Sequence, residues 1–361
     1  MNMEGEVNNF IVTWMVVFAS LLYSYIIGKL IPKGTTRLLA LSIVICLFLW
    51  FPLKLTTMHL GGLTSFFIAW LANFKILLFA YGKGPLASNP PLPLSRFIPT
   101  ACLPIKPAYS TPSPASGPPT SSIKKTKKSV KFLLVKVVLF GLLLKAYDYG
   151  EYIHPHLKMS LYGFHIYFML EIVLAMLAYV AGTLVEMQLE PQFDEPYLAT
   201  SLQDFWGKRW NLMATNILHP TIYDPVRSIS SHFLTRKQAS IVAIFVTFLV
   251  SGLMHEFIFY NIGRLQPTGE VTCFFLLHGV LLSIEIAIKR AAKGQSYMPP
   301  ILSRVLTLGC VLATAFWLFF PPFLRFTPIV RGCQETVAFL EFVINGRLIS
   351  PVNASCPIIL R

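Results

Sequence analysis

Charge is what this chain has least of. Only 13% of its 361 residues are Asp, Glu, Lys or Arg, against about a quarter in ordinary soluble domains, so it cannot cover itself with a water-facing surface. Acidic residues are scarcer still, 16 against 30 basic ones for a net charge of +14. Six cysteines are present (Cys46, Cys102, Cys273, Cys310, Cys333, Cys356), with no CxxC pair and no Cys/His finger spacing. Four of them lie in or beside apolar stretches, so neither a disulfide framework nor a zinc finger is expected. A G-x-S-x-G elbow, a Walker loop, a G-x-G-x-x-G turn and an HExxH pair are all missing; Glu256 is followed by Phe257, Ile258 and Phe259. Hydrolase, nucleotide-driven pump and zincin lose support accordingly.

Hydrophobic types fill 55% of the chain, in stretches long enough to cross a bilayer. The uncharged run from Asn8 to Gly28 exceeds a signal-peptide core and has no basic region before it, which reads as a retained first span. Further spans are expected near 38–53, 60–80, 130–147, 159–185, 239–262, 270–288 and 302–323, with a weaker one near 336–346. The fold class is therefore an all-α integral-membrane, polytopic bundle of about 8–9 transmembrane helices. The organisation expected is 1–81 N-terminal helices, 82–129 a cytosolic loop, 130–348 a catalytic core and 349–361 a tail.

The basic residues sit in blocks beside apolar segments, the pattern of topology signals and anionic-lipid contacts, so nucleic acid is set aside. Lys29, Lys33 and Arg37 mark the first loop as cytosolic, and strict alternation puts the amino terminus in the lumen. The third loop holds eleven prolines between Pro85 and Pro119 and ends in KKTKK. Such composition cannot bury a core and reads as an extended or disordered tether with a lipid-attracting end. An Asn353-Ala354-Ser355 sequon matters only if the tail is lumenal.

The loop from Glu186 to Lys237 keeps its aromatics. Within it Leu202, Trp206, Trp210, Met213 and Ile217 recur at helical spacing, with Asp204, Lys208, Asn211 and Thr215 on the other face; Ser201 and Asp204 supply an S-x-x-D start. One interfacial helix anchored by tryptophans is expected there.

An ionisable group inside a span costs about 2.5–3.5 kcal/mol to insert, so each is a candidate functional residue. The sequence offers His165, Glu171, His255, Glu256, His278 and Glu285. Thr247, Ser251 and His255 fall at i, i+4 and i+8, one polar stripe on an apolar helix, with Glu256 turned about 100° away. A neutral imidazole held in a dry cavity can act as general base toward a hydroxyl. His219 and Asp224 form an H-x4-D pair spaced as in glycerol-phosphate acyltransferases, but in a loop with Pro220 and Pro225 and in a pattern too short to be specific. His255, Glu256, His278 and Glu285 are a poor metal set because the first two point apart, and no metal is assigned.

Three blocks, LANFKILLFAYGKGPL (71–86), LEPQFDEPYLATSLQDFWGKRWNLM (189–213) and SGLMHEF (251–257), resemble the plant wax-synthase branch of the membrane-bound O-acyltransferases. Within it the chain is most similar to the long-chain-alcohol O-fatty-acyltransferases and acyl-CoA:sterol O-acyltransferases. The resemblance implies a helical fold with a tunnel through the membrane. It implies catalytic roles for His255, the family histidine, and for Asn211, which closes the F-W-x-x-x-W-N motif. Glu256 matches the acidic residue that follows the histidine in many relatives.

Acyl-CoA is the expected co-substrate, with no cofactor, and a lipophilic alcohol is the expected acceptor, with membrane lipids as surroundings. Trp206, Lys208, Arg209 and Trp210 are candidates for holding CoA, and Ser251 and Glu256 for contacting substrate. The product expected is a wax ester or steryl ester made at the endoplasmic reticulum. Acylation or acetylation of diacylglycerol is the alternative within this chemistry. A transporter with an intramembrane His/Glu relay and a noncatalytic lipid-binding scaffold are the alternatives outside it.

Overall fold

The computed structural model describes residues 3–106, 134–150, 152–185, 188–189, 192–292 and 298–356. It is helical apart from a two-residue antiparallel pairing of Ile105–Lys106 with Gln188–Leu189. Among the described residues six helices are long and apolar enough to cross a membrane. They are α1 (Met3–Leu30), α2 (Thr35–Trp50 with the turn after it), α3 (Met58–Ala80), and the later α7 (Arg236–Gly263), α8 (Glu270–Ala291) and α9 (Pro300–Leu324). Between these groups lie α4 (Leu94–Cys102), α5 (Pro155–Val185) and α6 (Leu212–Leu218), and α10 (Pro328–Asn345) follows α9.

The chain divides into two units, 1–104 with 193–360, and 105–192. The first helices and the later ones fall in one unit. Residues 85–102 form a turn and α4, with Leu86, Leu92, Phe97, Ala101 and Cys102 buried, while 107–129 lie outside the described residues. In the second unit a helix over 134–146 meets α5 through Lys136 Nζ and Glu171 Oε1 at 2.7 Å, and Tyr147 OH lies 3.3 Å from His165 Nδ1.

Transmembrane packing has no water to expel between lipid-facing surfaces, so large apolar groups can face out and small or polar ones in. α1 is built that way. Ile11, Met15, Phe18, Leu22 and Ile26 are exposed, whereas Thr13, Val17, Ser20, Leu21 and Ser24 are buried. Thr13 and Ser24 return their hydroxyl protons to the carbonyls four residues back, at 2.7 and 2.8 Å. α3 is the most buried of the six spans and is π-helical over Ser65–Ala72.

Charged side chains close the helix ends of the first unit with the sign that the helix dipole favours. At the start of α3, Glu6 accepts from the Thr56 and Thr57 amides, both at 2.7 Å, and from both threonine hydroxyls. Glu335 of α10 accepts from the next two amides, Met58 at 2.6 Å and His59 at 2.8 Å, and from the His59 ring. Burial pushes the Glu335 carboxyl up, but the hydrogen bonds from the His59 ring and from the His59 and Met58 amides outweigh it and hold the group below its ordinary value. Basic groups take the carbonyl ends. Arg37 donates to Gly28 and Ile31 of the α1 terminus and to Phe79 of α3, and Lys75 donates to Thr100 and Leu103 at the end of α4.

A disulfide joins Cys333 of α10 to Cys356 of the tail, 23 residues apart with Cα atoms at 5.8 Å. The expectation of no disulfide is thereby corrected. The pair is made by the tail folding back on α10, which cysteine spacing does not encode. The same end of the unit carries Glu6 and, through Arg331, the carbonyls of Thr56 and Gly263. A disulfide persists on the oxidising side of a membrane, and the basic loops assign the amino terminus to that side as well. In sealed microsomes Cys333 and Cys356 should therefore resist an impermeant maleimide until the vesicles are permeabilised and reduced. Labelling of either cysteine from outside intact, reduced vesicles would reverse the assignment.

Candidate active site

His255 stands on α7, 19 residues after Arg236 and eight before Gly263, or roughly 28 Å and 12 Å from the two ends at 1.5 Å per residue. Thr235 and Gln238 start this helix as a reciprocal capping box. Nδ1 of His255 lies 2.7 Å from the Ser251 carbonyl oxygen. A carbonyl only accepts, so the proton sits on Nδ1 and the lone pair on Nε2. The ring lies against Phe275 of α8, centroids 4.4 Å apart, and meets Phe319 of α9 edge-on at 6.2 Å. Phe319 belongs to a π-helical turn, Ala315–Phe319, inside α9.

The α7–α8 crossing that sets this contact depends on Gly252. A Cβ there would lie 2.8 Å from Thr272 Cα, closer than side chains tolerate against backbone. One turn further, Glu256 is buried and accepts from the Val271 and Thr272 amides at 3.1 and 3.2 Å. These are the second and third residues of α8, so Glu256 caps α8 from its neighbour. Its sequence position beside His255 suggested a substrate contact; in the structure its carboxylate is bound to the α8 amides and holds α7 to α8.

The 202–217 segment departs from the single helix that its periodicity predicts. Leu202–Asp204 begins a helical turn that continues as a π turn, Phe205–Arg209, and stops where Trp210 is extended and Asn211 is left-handed (φ 45°, ψ 62°). α6 then starts at Leu212 with Asn211 as its N-cap, Oδ1 accepting from the Ala214 amide at 3.2 Å. Asparagine tolerates the left-handed region and caps helices well, so one residue supplies both the break and the restart. Thr215 Oγ1 donates back to the Trp206 carbonyl at 3.0 Å and ties the two pieces together. Capping engages Oδ1, and no hydrogen bond engages Nδ2 among the described residues, which leaves an amide donor available.

The S-x-x-D signal is realised, Ser201 Oγ accepting from the Asp204 amide at 3.1 Å. Glu285 of α8 takes the preceding amides, Leu202 at 2.6 Å and Gln203 at 3.2 Å. Three of the four candidate CoA contacts are engaged within the protein. Arg209 Nε donates to Asp204 at 2.8 Å and its NH1 to the carbonyls of Asp194 and Glu195; Trp210 stacks on Phe205 at 5.5 Å and meets Phe193 edge-on. Trp206 turns inward against Phe248, Phe274, Phe275 and His278. Lys208 alone of the four is exposed.

Phe275 is where the two conspicuous sequence blocks meet, since Trp206 packs on it at 5.9 Å and His255 at 4.4 Å. No direct bond joins His255 to Asn211 among the described residues. His219 and Asp224 do pair, at 3.2 Å, but half-exposed and on a π turn running into a short helix rather than in a loop. His255, Glu256, His278 and Glu285 each have separate partners and do not converge. Beyond Phe259, which packs on Phe319, a shallow open pocket is lined by Glu256, Tyr260, Leu265, Arg325 and Phe326 among others.

Residues 189–277 match the model of the membrane bound O-acyl transferase family, a range that includes both Asn211 and His255. Acyl-CoA–sterol O-acyltransferase 1 of Arabidopsis thaliana is 45% identical over 340 residues, covering 94% of this chain and 97% of that protein. Long-chain-alcohol O-fatty-acyltransferase of Simmondsia chinensis is 42% identical over 334 residues, covering 90% and 92%. Probable long-chain-alcohol O-fatty-acyltransferase 3 of Arabidopsis thaliana is 41% identical over 345 residues, covering 94% and 97%.

The capping role of Glu256 separates two variants. Glu256→Gln keeps an oxygen acceptor for the α8 amides and should keep most activity and stability. Glu256→Ala leaves the buried Val271 amide unbound, at a cost of about 1–3 kcal/mol, and the part-buried Thr272 amide as well, and should lower the melting temperature in detergent. Complete loss of activity in a well-folded Glu256→Gln protein would show that the carboxylate takes part in proton transfer.

Proposed function

The chain belongs to the membrane-bound O-acyltransferase family, and we propose that it esterifies a lipophilic alcohol, a long-chain fatty alcohol or a sterol, with the acyl group of an acyl-CoA. The observation that carries the reading is the state of His255: its tautomer is fixed by the Ser251 carbonyl, so that Nε2 presents a lone pair among the rings of Phe275 and Phe319. That is the form a general base takes in a water-poor site. The names of the relatives, sterol and long-chain-alcohol acyltransferases, support the acceptor class.

An acyl-CoA is already an activated thioester, so the protein has to do little more than deprotonate and stabilise. Nε2 of His255 takes the hydroxyl proton as the alcohol oxygen attacks the thioester carbonyl carbon. The resulting oxyanion needs a donor, and the free Nδ2 amide of Asn211 is the neutral group assigned to it. Collapse expels the CoA sulfur, which takes the proton back from His255, leaving an ester and free CoA with the enzyme unchanged. The exposed Lys208 is assigned to CoA phosphate, and the site of synthesis to the endoplasmic reticulum.

An aromatic-lined site gives an apolar acceptor its binding energy mostly through buried surface, about 25 cal/mol per Å². Such a term varies smoothly with length and shape, so selectivity among related alcohols should be broad. Offered hexadecanol, a plant sterol and diacylglycerol together with palmitoyl-CoA or acetyl-CoA, microsomes expressing the chain should form a wax ester or a steryl ester. Exclusive acetylation of diacylglycerol would overturn the acceptor class, and no ester from any pair would overturn the enzyme reading.

The residue roles have their own expected outcomes. His255→Ala should lose about 10²–10⁴ in rate while remaining inserted. Asn211→Ala should be severely impaired, whereas His219→Ala and Asp224→Ala should stay near the parent rate. An active His255→Ala with inactive His219 and Asp224 variants would move the chemistry to that pair.

A further inference from the structure

His278 is fully buried on α8, and both of its ring nitrogens are bonded. Trp206 Nε1 donates to Nδ1 at 3.1 Å, and Nε2 lies 2.9 Å from Thr314 Oγ1. An indole N–H can only donate, so Nδ1 must carry the lone pair and the ring proton must sit on Nε2. Nε2–H therefore donates to the Thr314 hydroxyl. That hydroxyl passes its own proton to the Cys310 carbonyl at 2.8 Å, with the Val311 carbonyl also near at 3.1 Å. The bonds run in one direction from the indole to the main chain of α9. A doubly protonated ring would set two donors against each other at Nδ1 and break the run.

The two ends of this run are the two irregular turns of the site. Trp206 lies in the Phe205–Arg209 π turn, which leads through extended Trp210 to left-handed Asn211. Thr314 immediately precedes the Ala315–Phe319 π turn, whose Phe319 ring meets His255. A π turn has poorer internal bonding than an α turn and takes its geometry from its surroundings. His278 is the one side chain among those described that bonds to both sides. Its ring also lies 4.5 Å from Phe274, and Trp206, held by it, packs on the Phe275 that faces His255.

Resting on the acyltransferase reading above, we infer that His278 is a positioning residue, which sets the separation between the Asn211 amide and the His255 imidazole by bonding the Asn211 segment and the Phe319 turn to one point on α8. It touches neither substrate. Its effect is on placement, and a displacement of about 1 Å at reacting groups costs up to about 10²-fold in rate.

Two replacements of His278 divide its bonds. Asparagine puts an oxygen near the place of Nδ1 and can still accept from Trp206; glutamine reaches the place of Nε2 and Thr314 but offers Trp206 no acceptor. With the full chain purified in detergent, His278→Gln and Trp206→Phe should each lower kcat about 10- to 100-fold, with KM for palmitoyl-CoA within about threefold. His278→Asn should restore kcat to within a few-fold of the parent. The double variant Trp206→Phe/His278→Gln should be no slower than the slower single variant, because both changes remove one bond.

Melting temperatures measured on the same samples separate placement from folding. An unchanged kcat in Trp206→Phe, His278→Asn as slow as His278→Gln, or losses that track the folded fraction would each overturn the positioning role. A parent chain that makes no ester would overturn the acyltransferase reading, and this one with it. An active parent with unaffected variants would remove only this one.

Discussion

Backbone amides at a helix start that lies out of water must be bound by something in the protein. In this chain glutamates do much of that work. Glu6 and Glu335 hold four successive amides at the start of α3, Glu256 holds two at the start of α8, and Glu285 holds two at the start of the Leu202–Asp204 turn. Each reaches its target from a different helix, so each cap is also an interhelical bond. The chain's few carboxylates thus join the first helix to the third, the tenth to the third, the seventh to the eighth, and the eighth to the segment that carries Asn211. Arg37 and Lys75 mirror this at carbonyl ends.

These constraints converge on the site. Glu256 fixes α7 against α8 one residue after His255, and Gly252 permits their close crossing three residues before it. Glu285 and Ser201 fix the beginning of the segment that ends at Asn211. Aromatic rings fill the space between, with Phe275 shared by Trp206 and His255. The same bonding weakens the idea of a proton relay. Glu171 is paired with Lys136, Glu285 binds two amides and Lys289, and His278 is bonded at both nitrogens. Among the described residues, His255 has a hydrogen bond at Nδ1 alone, as does His165 in the second unit.

Much of this was legible in the residues and some was not. Hydropathy located the six spans because each is a continuous apolar run, and the Thr247–Ser251–His255 stripe put a histidine deep inside one of them. The S-x-x-D start at Ser201 was local and therefore readable. Helical periodicity over 202–217 misled, since apolar spacing persists across a break that Asn211 makes by its backbone and cap. The turn of Glu256 away from the His255 stripe was readable, but its capping role was hidden because the amides it binds lie 15 and 16 residues further on. The Trp206–His278 bond spans 72 residues, and Cys333–Cys356 spans 23; neither pairing leaves a spacing signal. The resemblance of the 189–213 and 251–257 blocks to O-acyltransferases carried what periodicity could not, the proposal that Asn211 and His255 act together.

In the proposed reaction the alcohol attacks acyl-CoA directly, with His255 as base and no acyl group ever held by the protein. Purified chain incubated with radiolabelled palmitoyl-CoA and no alcohol, then denatured and stripped of free lipid, measures this most directly. Direct attack leaves no label on the protein and no stoichiometric burst of CoA, followed by ester formation once hexadecanol or a sterol is added. A hydroxylamine-sensitive acyl-protein approaching one label per chain, released as ester by the alcohol, would contradict it.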